Sequence, residues 1–294
     1  VFGFPGTTNE YLPAVAIEHI TKEFNPTNIA IREAALKVID AKMKTSDEVR
    51  IKYASKQARI ANAWKKWIGE NLGIDKSNAV EKRREFEATF TKALKEKGLE
   101  NKYGNILPKF DALYKDFAPI NIKRRNFIEV FITTNELMQM TFRAYQVEQA
   151  LIANPLNMEK AKASLTGRLK GIHKNYDVDV DKGVYKNVMP LYGKKVDASI
   201  YDKTAFTNLE SALKLLEGNA EDVIKKLNSD AAYAYAKPII AEFFNTINGE
   251  FQQKNELITA LQTQYMTALM EALPNARYFP DANSTLRVTY GQVR

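Results

Sequence analysis

Apolar and polar positions alternate at the two extremities of the chain and follow helical spacing almost everywhere between them. Val1 to Phe4 alternates small and large apolar residues and stops at Pro5-Gly6, a turn signal. Near the other end Leu286, Val288 and Tyr290 alternate with Arg287, Thr289 and Gly291, which predicts a strand over Thr285 to Val293. The chain thus starts and stops in strand pattern without an initiator Met, as a segment cut from something larger would.

Between these ends the punctuation is helical. Asn25-Pro26 is an N-cap followed by Pro at the first helical position, and a helix is expected through Lys42. Thr45 or Ser46, with Asp47 and Glu48 in the first turn, opens the next helix. Its predicted inner stripe is Ile51, Ala54, Ala58, Ala61, Ile68 and Leu72. Phe86, Phe90 and Leu94 mark a third helix ended by Gly98, and another spans Asn105 to Asp116. From Lys123 to Ile152 the positions Phe127, Val130, Phe131, Thr134, Met138, Phe142, Tyr145 and Gln149 keep helical spacing until Asn154-Pro155. Further helices are expected at Asn157 to Asn175, Lys182 to Leu191, Thr204 to Leu216 and Glu221 to Leu227. A last one, Asp230 to Leu273, contains Pro238, where a kink or break is expected because Pro removes a backbone donor. The fold class that follows is mainly α: a multi-helix domain with one short antiparallel strand pair formed by the chain ends.

With 294 residues, 45% of them hydrophobic and 27% charged, the composition is that of a globular protein with length for a sizeable core. No apolar run approaches the ~20 residues that span a bilayer. The chain has no cysteine, so disulfides, thiol catalysis and Cys-ligated metals are excluded within it. The formal charge of +8 does not point to nucleic acid, because 35 acidic residues are mixed among 43 basic ones. The densest basic stretches, at Lys65 to Trp67, Glu81 to Phe86 and Ile122 to Phe127, fall in helical patterns and read as solvated faces.

Candidate chemistry is sparse. DVDVDKG at Asp177 to Gly183 has Lys182 and Val188 where a calcium loop needs Gly and Glu, so it reads as a polar helix N-terminus near Asp181. His19 and His173 are the only imidazoles and stand in no metal-ligand spacing. His173 falls near a predicted helix C-terminus. No serine-nucleophile elbow is present, and no cofactor or metal is expected. GFPG at Gly3 to Gly6 lacks the tail of a phosphate loop and reads as a turn. The aromatic rows Phe127/Phe131 and Phe142/Tyr145 read as core. Asn62 differs, since it stands in KQARIANAWKKWIG beside Ala58 and Ala61, small neighbours that allow another surface close to a carboxamide acceptor.

Three stretches, VFGFPGTTNEYL, YASKQARIANAWKKWIG and YFPDANSTLRVTYGQV, resemble the bacterial dipeptidyl-peptidase 7 and dipeptidyl-peptidase 11 family, and the likeness spans the chain. That resemblance implies serine exopeptidases with a chymotrypsin-like double β-barrel and a large helical insertion. It implies that residues 1–8 and 285–294 are strands of the second barrel, matched at Gly3-Phe4-Pro5 and at Thr289-Tyr290-Gly291-Gln292-Val293. Residues 9–284 would then be a helical cap, a segment of roughly 270 residues where a short loop is usual. No catalytic residue transfers to this chain, because the family's His and Asp lie upstream and its Ser downstream.

Asn62 falls where the family carries an asparagine that binds the free N-terminal amine of the substrate; the family's neighbouring aromatic is Ala63 here. The expected role is substrate gating in a serine dipeptidyl aminopeptidase, periplasmic or cell-surface associated in a Gram-negative bacterium. Its expected partners are a peptide with a free N-terminus, the remainder of the double barrel and, in the complete protein, a second copy. The rival readings are a non-enzymatic helical scaffold binding a protein partner and, third, a stand-alone enzyme.

Overall fold

In the computed structural model the described residues are 2–288, 290 and 291, and they form two compact units. The described elements are mainly α-helical with one two-stranded sheet. Phe2–Gly3 pairs antiparallel with Arg287–Val288, in the register Phe2 to Val288 and Gly3 to Arg287. The ladder is shorter than the predicted strand: Leu286 and Tyr290 lie outside it, and Val1, Thr289, Gln292, Val293 and Arg294 lie outside the described residues. The two tails nevertheless stay side by side beyond the ladder. Ser284 N donates to the Pro5 and Gly6 carbonyls, Ala282 N donates to Thr8 Oγ1, and Tyr11 exchanges two 2.8 Å hydrogen bonds with the Phe279 backbone.

The unit containing this ladder also holds Gly73–Phe117 and the chain from Gln253 onward. Its core is aromatic: Tyr265, fully buried, takes Phe90 and Phe110 edge-on at 5.5 and 5.7 Å. The Ala14–His19 helix has Pro13 at its N-cap, which offers no side-chain acceptor, so Glu87 from the Ala79–Glu96 helix accepts from Ala14 N at 2.7 Å instead. Gly98 sits at φ +66°, the left-handed turn at which the predicted third helix stops.

The other unit comprises Lys22–Leu72 and Ala118–Gln252. Its centre is the Glu136–Ala153 helix, buried on nearly all sides by the Met158–His173, Ala220–Ser229 and Ala231–Glu242 helices. Phe127, Phe131, Phe142 and Tyr145 are core, as expected; Phe127 stacks on Phe131 at 4.6 Å and on Phe243 at 4.0 Å.

The helical pattern from Lys123 to Ile152 is not one helix. The Ile106–Ile128 helix runs through Pro119, widens into a π-turn over Glu129–Thr134, and breaks at Asn135, whose backbone is extended. Pro238 likewise does not break its helix. The Ala231–Glu242 helix continues through it, and the irregularity is the π-turn Phe243–Ile247 that follows.

Two buried carboxylates with cation partners help tie this unit together. Arg32 grips Glu129 with two nitrogens, at 2.7 and 3.1 Å, and Arg125 adds a third contact at 2.6 Å. The stretch Ile122 to Phe127 is therefore no simple solvated face: Arg125 is drawn in by Glu129, and Arg124 donates to Asn248 and covers the Phe251 ring at 4.2 Å. Glu148, with no exposed side chain, accepts from Tyr233 at 2.6 Å, from Lys237 at 2.9 Å and from Asn228. Burial opposes its ionisation, but these three donors outweigh burial and hold the carboxyl below its ordinary value.

Removing one partner of a desolvated pair strands the other, so Glu129→Ala is expected to cost about 3–5 kcal/mol in urea unfolding. Glu148→Gln is expected to cost about 1–3 kcal/mol at neutral pH. Because the folded-state pKa of Glu148 is depressed, its contribution is present above the unfolded value and lost as pH falls through the folded one. The gap between wild type and Glu148→Gln should therefore close below about pH 4.3.

Candidate functional site

The Asp47–Lys76 helix carries the one side chain to which the sequence assigns a binding role. Ser46 Oγ accepts from Val49 N at 3.2 Å, which places the helix start at Ser46 rather than Thr45. The predicted inner stripe is turned outward: Ile51, Ala54, Ala58, Ile68 and Leu72 are exposed, and of that stripe only Ala61 is buried. The inner face is Val49, Tyr53, Ile60 and Trp67. Two large rings fix this phase, because each buries more apolar area than several alanines and each has polar partners waiting. Trp67 meets Phe24 edge-on and lies under the Arg32 and Arg125 guanidinium groups at 4.7 and 5.3 Å. The Tyr53 hydroxyl donates to Glu136 Oε2 at 2.7 Å.

This rotation leaves Asn62 at the middle of the outer face. It is exposed, and no hydrogen bond to its carboxamide is found among the described residues. By helical spacing Ser55, Ala58 and Gly69, all exposed and small, run along the helix on its side, and the exposed cations Arg59, Lys65 and Lys66 flank it three and four residues away. A Cβ added at Gly69 would meet nothing within 4 Å.

Beside this face lies a cavity of about 260 Å³ lined by Lys52, Ser55, Lys56, Arg59, Glu136 and Gln139, among others. Lys56 pairs with Glu136 at 3.0 Å, both side chains being 11% exposed, and its ammonium also covers the Tyr53 ring at 5.0 Å. Burial and the adjacent Glu136 charge push the Tyr53 hydroxyl far above its ordinary pKa, so it remains a donor.

Behind Glu136 stands Asp181, which accepts from Glu136 N at 2.6 Å, Leu137 N at 2.9 Å, Asn135 Nδ2 at 3.0 Å and the Tyr201 hydroxyl at 2.8 Å. Burial, with the nearby Glu136 charge, raises its pKa above the ordinary carboxylate range, while Lys56 and the backbone donors oppose the rise. Asp181 is thus a cap supplied to the Glu136–Ala153 helix from outside, alongside that helix's own cap Asn135, which accepts from Met138 N.

The three acids of DVDVDKG go separate ways. Asp177 caps its own helix, accepting from Val180 N at 2.9 Å; Asp179 faces solvent; Asp181 points inward. The helix N-terminus is therefore at Asp177, and the helix spans Val178–Val188 rather than Lys182 to Leu191. His173 closes the Met158–His173 helix, as expected, with its ring against Tyr176 at 5.2 Å and its pKa lowered by burial. His19, in the other unit, is buried against Tyr114 and Phe117.

Ser55 has no base as hydrogen-bond partner among the described residues, and His173 Nε2 is buried without a hydrogen-bond partner. What this face offers chemically is a neutral carboxamide exposed on a helix whose opposite side is held by Tyr53 and Lys56 against Glu136.

A mainly helical chain whose two tails pair as antiparallel strands, with no assembled nucleophile among the described residues, is the class these features define. A profile of the peptidase S46 family matches residues 1–199 and 191–294, so the chain belongs to that family. It is 38% identical to an Asp/Glu-specific dipeptidyl-peptidase of Flavobacterium psychrophilum, an alignment covering all of this chain and 44% of that protein. It is 28% identical to a dipeptidyl-peptidase 7 of Phocaeicola vulgatus, again over the whole chain and 44% of the relative. The chain therefore spans less than half the length of these relatives. Among solved structures, Porphyromonas endodontalis DPP11 in complex with the dipeptide Arg-Asp matches 97% of this chain and 43% of its own. Its TM-score of 0.76 at 18% identity is a likeness of fold.

The bracing behind the Asn62 face can be tested through its carboxylate. Asp181→Ala strands at least two buried backbone donors, and each stranded group costs about 1–3 kcal/mol. We expect a loss of about 3 kcal/mol or more in urea unfolding. Asp181→Asn should recover part of it, since its amide oxygen can still accept from Glu136 N.

Proposed function

We propose that this chain is the substrate-gating helical domain of a serine-type dipeptidyl aminopeptidase that releases N-terminal dipeptides from oligopeptides. The observation that carries the reading is the match of the whole chain to part of proteins named dipeptidyl-peptidases. In this reading residues 1–8 and 285–294 belong to the second barrel, and residues 9–284 are the cap. The remainder of the barrel, with the catalytic Ser, His and Asp, lies outside this chain.

The strand pair supports that assignment. Phe2, Phe4, Leu286, Val288 and Tyr290 are 77, 68, 53, 64 and 97% exposed, an apolar set on a two-stranded ribbon that is marginal alone. Neighbouring strands of a barrel would cover it. The complete protein is placed in the periplasm or at the cell surface of a Gram-negative bacterium, and it pairs with a second copy.

Asn62 receives the free amine of the peptide. An exopeptidase that removes two residues must measure about 7 Å of extended chain from that amine to the scissile carbonyl. A fixed acceptor at the far end does this, and it rejects internal segments, which have no ammonium to offer. The helical neighbours Arg59, Lys65 and Lys66 are cationic, so Asn62 serves as a neutral acceptor among them.

In the complete protein, Asn62→Ala should lower kcat/KM for free-amine dipeptidyl substrates by about 10- to 100-fold, the loss of one hydrogen bond to a charged group. Because Asn62 is exposed, thermal stability should stay within about 0.5 kcal/mol of wild type. Unchanged turnover on a panel of such substrates would remove Asn62 from the site.

A further inference from the structure

Half-buried cations in the Lys22–Leu72 and Ala118–Gln252 unit have carboxylate partners at the sites described above: Arg32 and Arg125 with Glu129, Lys56 with Glu136, Lys237 with Glu148. Arg143, like Arg124 with the neutral Asn248, departs from this pairing. It is half-buried on the Glu136–Ala153 helix, and its guanidinium donates to the neutral Gln146 Oε1 at 2.9 Å. Its pKa is lowered, first by burial and then by the charge of Arg168. No carboxylate lies within ion-pair distance of Arg143, Lys160 or Arg168 among the described residues.

These three cations line one cleft of about 410 Å³ between the Glu136–Ala153 and Met158–His173 helices, and no Asp or Glu lines it. Its floor is apolar, with Val147, Ala161 and Leu165 buried. Arg143 is half-buried against this floor while Lys160 and Arg168 are exposed at its rim; the three like charges repel, and an anion relieves them.

The spacing narrows the anion. Lys160 and Arg168 lie eight residues apart on one helix, about 12 Å along its axis, with Arg143 on the facing helix. One phosphate can sit at one end of such a cleft; a chain bearing carboxylates a few residues apart reaches both. An apolar floor suits aliphatic stems and main chain. No aromatic ring lines the cleft for stacking of bases, which separates it from a single-strand nucleic-acid groove.

We propose that this cleft is a binding site for an extended acidic peptide segment, whose carboxylates engage Arg143, Lys160 and Arg168. The inference rests on the cleft alone and holds whether or not Asn62 receives an amine.

The chain contains no cysteine, so Ser164→Cys places one identifiable thiol in the lining. In the complete protein, alkylation of that thiol by iodoacetamide is followed by mass spectrometry of its tryptic peptide. The probes are tetra-glutamate and tetra-glutamine peptides, each acetylated and amidated, and inorganic phosphate. The glutamate peptide should slow alkylation about sixfold at five times its Kd, and the glutamine peptide should not. Adding Arg143→Gln and Arg168→Gln should abolish this protection while leaving dipeptidyl turnover unchanged. Neighbouring cations also raise thiolate reactivity, so each variant is compared with itself, with and without peptide. Equal rates with and without the glutamate peptide would overturn the proposal, as would equal protection by the glutamine peptide. Protection by phosphate as strong as by the glutamate peptide would also overturn the peptide assignment.

Discussion

A fully buried carboxylate is tolerated only where donors surround it, and Asp181 is where the larger unit meets that condition. Its two oxygens collect the first amides of the Glu136–Ala153 helix, the Asn135 carboxamide and the Tyr201 hydroxyl. Asn135 can then leave helical geometry and break the chain between two aromatic rows without orphaned amides. The break sets where Glu136 stands. Glu136 in turn takes Lys56 and Tyr53 from the Asp47–Lys76 helix and so sets the rotation of that helix about its axis. The outward direction of Asn62 is the last link in this series. The direction of a surface carboxamide is thus set by a carboxylate that no solvent reaches.

The same unit shows two ways of treating charge. Glu129, Glu136 and Glu148 are each matched by cations and hydrogen-bond donors, which favours one packing arrangement over its near alternatives and leaves little for a ligand to gain. The cleft of Arg143, Lys160 and Arg168 is left unmatched, which favours a partner that brings its own negative charge. Reading the two patterns against each other separates scaffold from surface more clearly than exposure does, since Arg125 and Arg143 are both half-buried.

Much of the helical framework was legible because its signals are local. Ser46, Asn154-Pro155 and Gly98 act on the turn next to them, and each marks a helix end in the structure. What was misread depends on residues far away in sequence. The stripe of Ile51, Ala54, Ala58, Ile68 and Leu72 has helical spacing, but Tyr53 and Trp67 find buried partners on elements that periodicity cannot reveal. Pro119 and Pro238 lie within helices whose packing absorbs a missing donor. Asp181 left one usable signal: it shares a helix face with Val184 and Val188, and a lone charge in an apolar row points to a buried set of donors. Asn62 drew attention through its small neighbours Ala58 and Ala61, but a specific role for it came only from the family resemblance.

The ladder at Phe2–Gly3 and Arg287–Val288 makes the folded state of everything between it a matter of thermodynamics as well as shape. For a disordered connector, closing roughly 280 residues instead of a four-residue turn would add about 4 kcal/mol of entropic penalty. An ordered connector removes nearly all of it, and tail-to-tail hydrogen bonds of Tyr11, Thr8 and Ser284 hold the two ends together outside the helices. Melting of the helices would return that penalty to a ribbon two residues wide. The strands and the helical mass are thereby coupled in cooperativity: a rung so short persists only while the distant coils stay ordered.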